Sequence, residues 1–113
     1  EVFIMRYIYS VYDKKAMVYN TPFVVENPID AVRAFSELVS DYRTTVGKYP
    51  GDFALYCVGK FSTTTGIMFL SDDDHDFPCF VHEAMEFVLK SAVGEGHEVS
   101  EPTTTLPAAG AEE

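Results

Sequence analysis

The sequence is poor in cysteine, in long apolar runs and, over its second half, in basic residues. Each shortage excludes a class of protein. Cysteine occurs only at Cys57 and Cys79. Two cysteines among apolar neighbours are too few for a disulfide framework and behave as small reduced hydrophobes, which points to a reducing compartment. No apolar run approaches the roughly 18 to 20 residues that cross a bilayer, and residues 1–5 lack the basic region and cleavage site of a signal peptide, so neither export nor membrane anchoring is expected. After Lys60 the only base is Lys90, set against Asp72, Asp73, Asp74, Asp76, Glu83, Glu86 and the acids beyond them. Acids and bases balance over residues 1–60, so the net charge of −10 sits in the second half, which repels a phosphate backbone and suits basic partners. Any nucleic-acid contact must come from the first half. No Gly-rich phosphate loop, nucleophile elbow or dinucleotide fingerprint occurs, so no catalytic residue, enzyme activity or cofactor is expected.

What the chain does have is apolar surface. At 47% hydrophobic and 14% aromatic, 113 residues suffice for one core. Residues 3–12 are aromatic and β-branched on both alternating sets, Phe3, Met5, Tyr7, Tyr9, Val11 and Ile4, Ile8, Tyr12, which reads as a strand within a sheet. A polar turn at Asp13, Lys14 and Lys15 leads to a second strand over 17–25, and Pro22 puts that strand at an edge or bulge. Asn27 before Pro28, with Asp30 following, is an N-cap, a proline at the first helical position and an acid in the first turn. A helix follows whose apolar stripe is Ile29, Val32, Phe35, Val39 and Tyr42, with Arg33, Glu37 and Asp41 on the wet face, ending before Gly47.

Residues 53–61 read as a third strand, with Phe53, Leu55, Cys57 and Phe61 on one side, Ala54, Tyr56, Val58 and Lys60 on the other, and Gly59 marking a bulge or close approach. Residues 67–70 give a fourth strand. Val81, Ala84, Met85, Val88 and Ala92 recur at helical spacing and predict a second helix over 80–92. Residues 97–113 are rich in Glu, Thr, Pro, Ala and Gly and read as a disordered acidic tail. The expectation is an α+β domain over 1–96, a mainly antiparallel four-stranded sheet with two helices packed on it in the order ββαββα, followed by the tail.

Three patterns bear on chemistry. Asp72, Asp74, Asp76 and Glu83 fall at the first, third, fifth and twelfth positions of a calcium loop, but Phe77 stands where the sharp turn needs glycine, and a solvated acidic turn is the better reading. His75, Cys79, His82 and His97 have no zinc spacing, so no metal is expected. The third pattern is aromatic residues interleaved with bases: Arg6, Tyr9, Tyr12, Lys14, Lys15, Tyr56 and Lys60. Aromatic faces on a sheet stack unpaired bases while Lys and Arg follow phosphates, although strand tyrosines also serve as core residues with their hydroxyls at the rim.

Several of these segments together resemble a known family: 9–16 (YSVYDKKA), Pro22-Phe23, Asn27 with Ala31, Arg33 and Phe35, 49–56 (YPGDFALY) and Gly59-Lys60-Phe61. In order and spacing, residues 3–66 resemble the small nonstructural protein of gokushoviruses, single-stranded DNA phages of the Microviridae. The resemblance implies a phage accessory protein acting in single-stranded DNA synthesis or DNA binding, in the cytoplasm of the infected bacterium and absent from the capsid; it carries over no site residues. Two functions from different classes follow. One is single-stranded DNA binding through Arg6, Tyr9, Tyr12, Lys14, Lys15, Tyr56 and Lys60, with an edge strand that leaves room for a homodimer. The other is an acidic module whose Asp72, Asp73, Asp74 and Asp76 engage a basic phage or host replication or defence protein.

Overall fold

A computed structural model describes residues 4–88. The expected tail, 97–113, lies outside the described residues, as does the end of the expected second helix. The fold is α+β, an antiparallel sheet with helices packed on one side. Its centre is a pair of long strands, β1 (Met5–Asp13) and β4 (Phe53–Ser62), antiparallel from Met5↔Ser62 to Asp13↔Phe53. Each long strand is flanked by two short ones. β2 (Val18–Tyr19) and β3 (Phe23–Val25) pair with opposite ends of β1, while β5 (Met68–Phe69) and β6 (Cys79–Glu83) pair with opposite ends of β4. The continuous strand expected over 17–25 is therefore two strands, broken where Pro22 has no N–H to give to a ladder.

β6 corrects the sequence reading. Helical spacing across Val81, Ala84, Met85 and Val88 suggested that the helix begins at Phe80, yet Cys79–Glu83 forms a strand and helical backbone covers only 84–88 of the described residues. The free edge of β4 decides the matter, because pairing with it satisfies a row of backbone groups that a local pattern cannot see. The helical turn starts at Glu83, whose N–H is accepted by Glu86 Oε2 at 2.9 Å, the reach-back half of a capping box.

The first helix, α1 (Pro28–Ser40), begins as expected: Asn27 Oδ1 accepts the Ile29 N–H at 3.1 Å, and Pro28 needs no partner at the first position. Asn27→Ala should cost about 1 kcal/mol of stability in chemical denaturation, with Asn27→Asp close to the parent. The buried stripe is Ala31, Phe35 and Val39, whereas Ile29 and Tyr42, expected in it, are exposed. α1 stops at Ser40, short of Gly47, and a tight corner leads into α2 (Thr45–Lys48). Asp41 closes this corner with a bidentate pair to Arg43, its Oδ1 on Nε at 2.9 Å and Oδ2 on Nη2 at 3.0 Å. The Arg43 side chain, then its backbone N–H, hold the Asp41 carboxyl below the usual range.

The core lies between the helices and one sheet face. Tyr9 and Val11 from β1 and Phe53, Leu55 and Cys57 from β4 meet Ala31, Phe35, Val39, Val46 and Ala84. Residue alternation then fixes the opposite face, which carries Arg6, Ile8, Ser10 and Tyr12 of β1. Two bulges complicate this alternation. Val58 is an extra residue between Cys57, opposite Tyr9, and Gly59, opposite Ile8; Val81 is likewise extra opposite Leu55 and Tyr56. One inserted residue moves every later side chain to the other face. Phe61 therefore shares a face with Tyr56, and Lys60 does not, the reverse of strict alternation along 53–61.

Candidate nucleic-acid interface

On the face turned away from α1 and α2, four adjacent strands each contribute one aromatic ring to a single row, with Phe61 on the same face farther along β4. Hairpin register sets Tyr19 of β2 opposite Tyr12 of β1, and β6 sets Phe80 opposite Tyr56 of β4. The rings form a continuous row. Tyr12 and Tyr19 have centroids 4.6 Å apart, Tyr12 and Tyr56 5.8 Å, Tyr19 and Tyr56 5.6 Å, and Tyr56 and Phe80 5.9 Å. Contacts to Tyr56 are all edge-to-face, at 71° to 84°, the arrangement favoured by ring quadrupoles. Burial, followed by the neighbouring Tyr56 and Tyr12, pushes the Tyr19 phenol above its usual pKa. Val24 and Met68 extend the same face and are exposed, giving a largely apolar surface of the kind that marks interaction sites.

The structure brings some of the sequence-nominated residues together and separates others. Tyr12 and Tyr56 sit in the row. Tyr9 does not: it is 5% exposed in the core, and burial, then Cys57 and Cys79, push its phenol to about 12. A tyrosine seated there has no face to offer a base. Lys60 is also on the helix side, its Nζ 5.6 Å from the Tyr7 ring centroid and 3.3 Å from Asp72 Oδ2.

Arg6 is on the open face but pairs with Glu26 at 3.2 Å. Lys14 reaches across the sheet to Glu83, Nζ donating to Oε1 at 2.6 Å. Lys15 is exposed, with no side-chain partner among the described residues. The turn that presents Lys14 and Lys15 is built by Asp13, whose Oδ1 accepts the N–H groups of Lys15 and Ala16 at 3.0 Å. Sequence reading missed Tyr19 and Phe80. Tyr19 was within reach, since folding the chain about Lys15–Ala16 brings it opposite Tyr12. Phe80 was not, because its register depends on a strand pairing distant in sequence.

The acidic loop is organised by its own first aspartate. Asp72 Oδ1 accepts the N–H groups of Asp74 at 2.9 Å and His75 at 2.8 Å, leaving Oδ2 for Lys60. These bonds, the Asp74 N–H foremost, lower the pKa of the Asp72 carboxyl. Asp72 therefore serves the loop, while Asp73, Asp74 and Asp76 are exposed. Among the described residues no group of three or more His, Cys, Asp or Glu side chains is placed to hold a metal ion, and no helix is long and apolar enough to cross a membrane.

The family model described as "Phage ORF5 protein" matches residues 6–87, from β1 through the helical turn after β6. The chain belongs to the phage ORF5 protein family. No curated protein and no solved structure matches it. The match to the ORF5 family covers the sheet from Arg6 onward, including Tyr12, Tyr19, Tyr56 and Phe80, so the ring row lies within the family's unit.

Proposed function

We propose that this ORF5 family member is a non-enzymatic accessory protein of a single-stranded DNA phage of the gokushovirus type, acting inside the infected cell in single-stranded DNA synthesis by holding unpaired DNA on its open sheet face. The ring row carries this reading. Aromatic side chains on a sheet face that carries no helix among the described residues are a sequence-tolerant platform for unpaired bases, each stack contributing on the order of 1–3 kcal/mol.

The electrostatics give the reading a particular signature. Arg6 and Lys14 are neutralised by Glu26 and Glu83, and Lys60 lies on the other face, which leaves Lys15 as the free cation beside the row among the described residues. Stacking therefore dominates over phosphate contacts. Because each phosphate neutralised on a single strand adds about −0.7 to the slope of log K against log salt, a shallow slope near −1 is expected. Fluorescence anisotropy with a labelled oligothymidylate of about 30 nucleotides, and duplex as control, tests this. The expected outcome is saturable binding that prefers the single strand, with Lys14→Glu plus Lys15→Glu weakening it and flattening the slope further. No binding at low salt, where charge attraction is strongest, refutes the proposal.

A further inference from the structure

The four rings of the row are not equivalent. Tyr56 is half-buried and clamped edge-to-face by three neighbours, Tyr12, Tyr19 and Phe80. Tyr12 is half-buried between Tyr19 and Tyr56. The end rings remain accessible, Tyr19 at 44% and Phe80 at 52% exposure. We infer that Tyr19 and Phe80 are two separate base platforms propped by Tyr56, and that they take two unpaired, mutually unstacked bases of any sequence; this rests on the single-strand reading of the same face.

Spacing supplies the first reason. Tyr56 stands between the two platforms, its ring centroid 5.6 Å from that of Tyr19 and 5.9 Å from that of Phe80, and the β2 and β6 backbones beneath them lie three strand spacings, roughly 14 Å, apart. Bases left stacked in a strand rise only about 3.4 Å per step, so neighbours in a regular stack cannot occupy both rings. A duplex cannot separate its bases in this way without melting, and discrimination against it is built into the distance.

Chemistry supplies the second reason. Between the platforms lie Ser10 and Ala54, each 1% exposed, and the Ser10 hydroxyl is already donated to the Asn20 carbonyl at 2.6 Å. At 1% exposure neither residue can present a donor or acceptor to a base edge, and ring faces alone do not distinguish one base from another. The ends of the row do differ in charge. Tyr19 adjoins the turn bearing the free Lys15, and β6 bearing Phe80 follows the loop of Asp72, Asp73, Asp74 and Asp76. The phosphate backbone joining the two bases is therefore drawn to the Tyr19 end.

The chain has no tryptophan, so Tyr19→Trp and Phe80→Trp each create a single reporter at a platform, with Tyr42→Trp, at a 77% exposed position after α1, as control. Titration with oligothymidylate and with oligodeoxyadenylate should quench both platform tryptophans at the midpoint seen by anisotropy and leave the control unchanged. Tyr19→Leu and Phe80→Leu keep an apolar side chain on the strand but remove the ring; each should bind roughly tenfold more weakly. Anisotropy that reports binding while neither platform tryptophan responds, or while the leucine variants bind as tightly as the parent, overturns the platform assignment and leaves the single-strand reading standing. No anisotropy change with either strand overturns both.

Discussion

Phe35→Ala is expected to cost about 3–5 kcal/mol in stability, the range for deleting a fully buried phenylalanine. Phe35 is completely inaccessible at the middle of α1, and its ring belongs to the cluster that joins Tyr9, Val11, Leu55 and Cys57 of the sheet to Val39, Val46 and Ala84. Its edge-to-face contact with Phe87, at 5.8 Å and 89°, also seats the helical turn after β6 on the same face. One substitution therefore loosens two helical segments at once. A domain of this size has only about 5–15 kcal/mol to lose, so the urea midpoint should fall by about a fifth or more with an unchanged slope. The ring row lies on the opposite face. Below its lowered midpoint the variant should therefore hold oligothymidylate as tightly as the parent, and a loss of affinity in still-folded protein would tie the open face to the helical layer. A cost under about 1 kcal/mol would mean that this core is not centred on α1.

The class of fold was legible because its signals are local. The alternation in 3–12 and the Asn27-Pro28 start each act within a few residues. The two faces of the sheet were harder to assign, since both alternating sets of β1 are apolar and nothing local says which one α1 covers. Tyr9 was grouped with Tyr12 for their shared chemistry, and the structure puts them on opposite faces. The bulges were harder still. Gly59 signalled an irregularity, but only the pairing Ile8↔Gly59 and Tyr9↔Cys57 identifies Val58 as the extra residue, and on that one insertion depends which face Lys60 occupies. The bases misled for a related reason. Arg6, Lys14 and Lys60 look available in the sequence, yet their carboxylate partners Glu26, Glu83 and Asp72 lie 12 to 69 residues away. A count of charges over residues 1–60 could not show that a carboxylate from residue 83 silences Lys14.

Gly47→Ala tests the structure against the sequence through the sign of its effect. By propensity alone the substitution should help, because alanine is favoured over glycine in a helix by about 1 kcal/mol. The structure predicts the reverse. A methyl group on Gly47 would fall on the carbonyl oxygen of Asp41, with the carbonyl carbon 2.6 Å away and the Leu38 carbonyl oxygen at 3.1 Å. All three are backbone atoms, so no side chain can swing aside. They are also held in place: the Thr44 hydroxyl lies 2.9 Å from both the Leu38 and Asp41 carbonyls, sharing its proton between them, and accepts the Gly47 N–H at 2.9 Å. Relief would require moving α2 away from the end of α1, and α2 carries Val46, which is 6% exposed in the core. The expected net cost is about 3 kcal/mol, at the upper end of overpacking effects, and urea denaturation of the variant measures it. Gly51→Ala, at a position where an added methyl meets nothing within 4 Å, should stay close to the parent and serves as the control. A Gly47→Ala variant more stable than the parent would show that α2 does not dock against the end of α1. Val46 would then have no reason to be buried beneath the sheet.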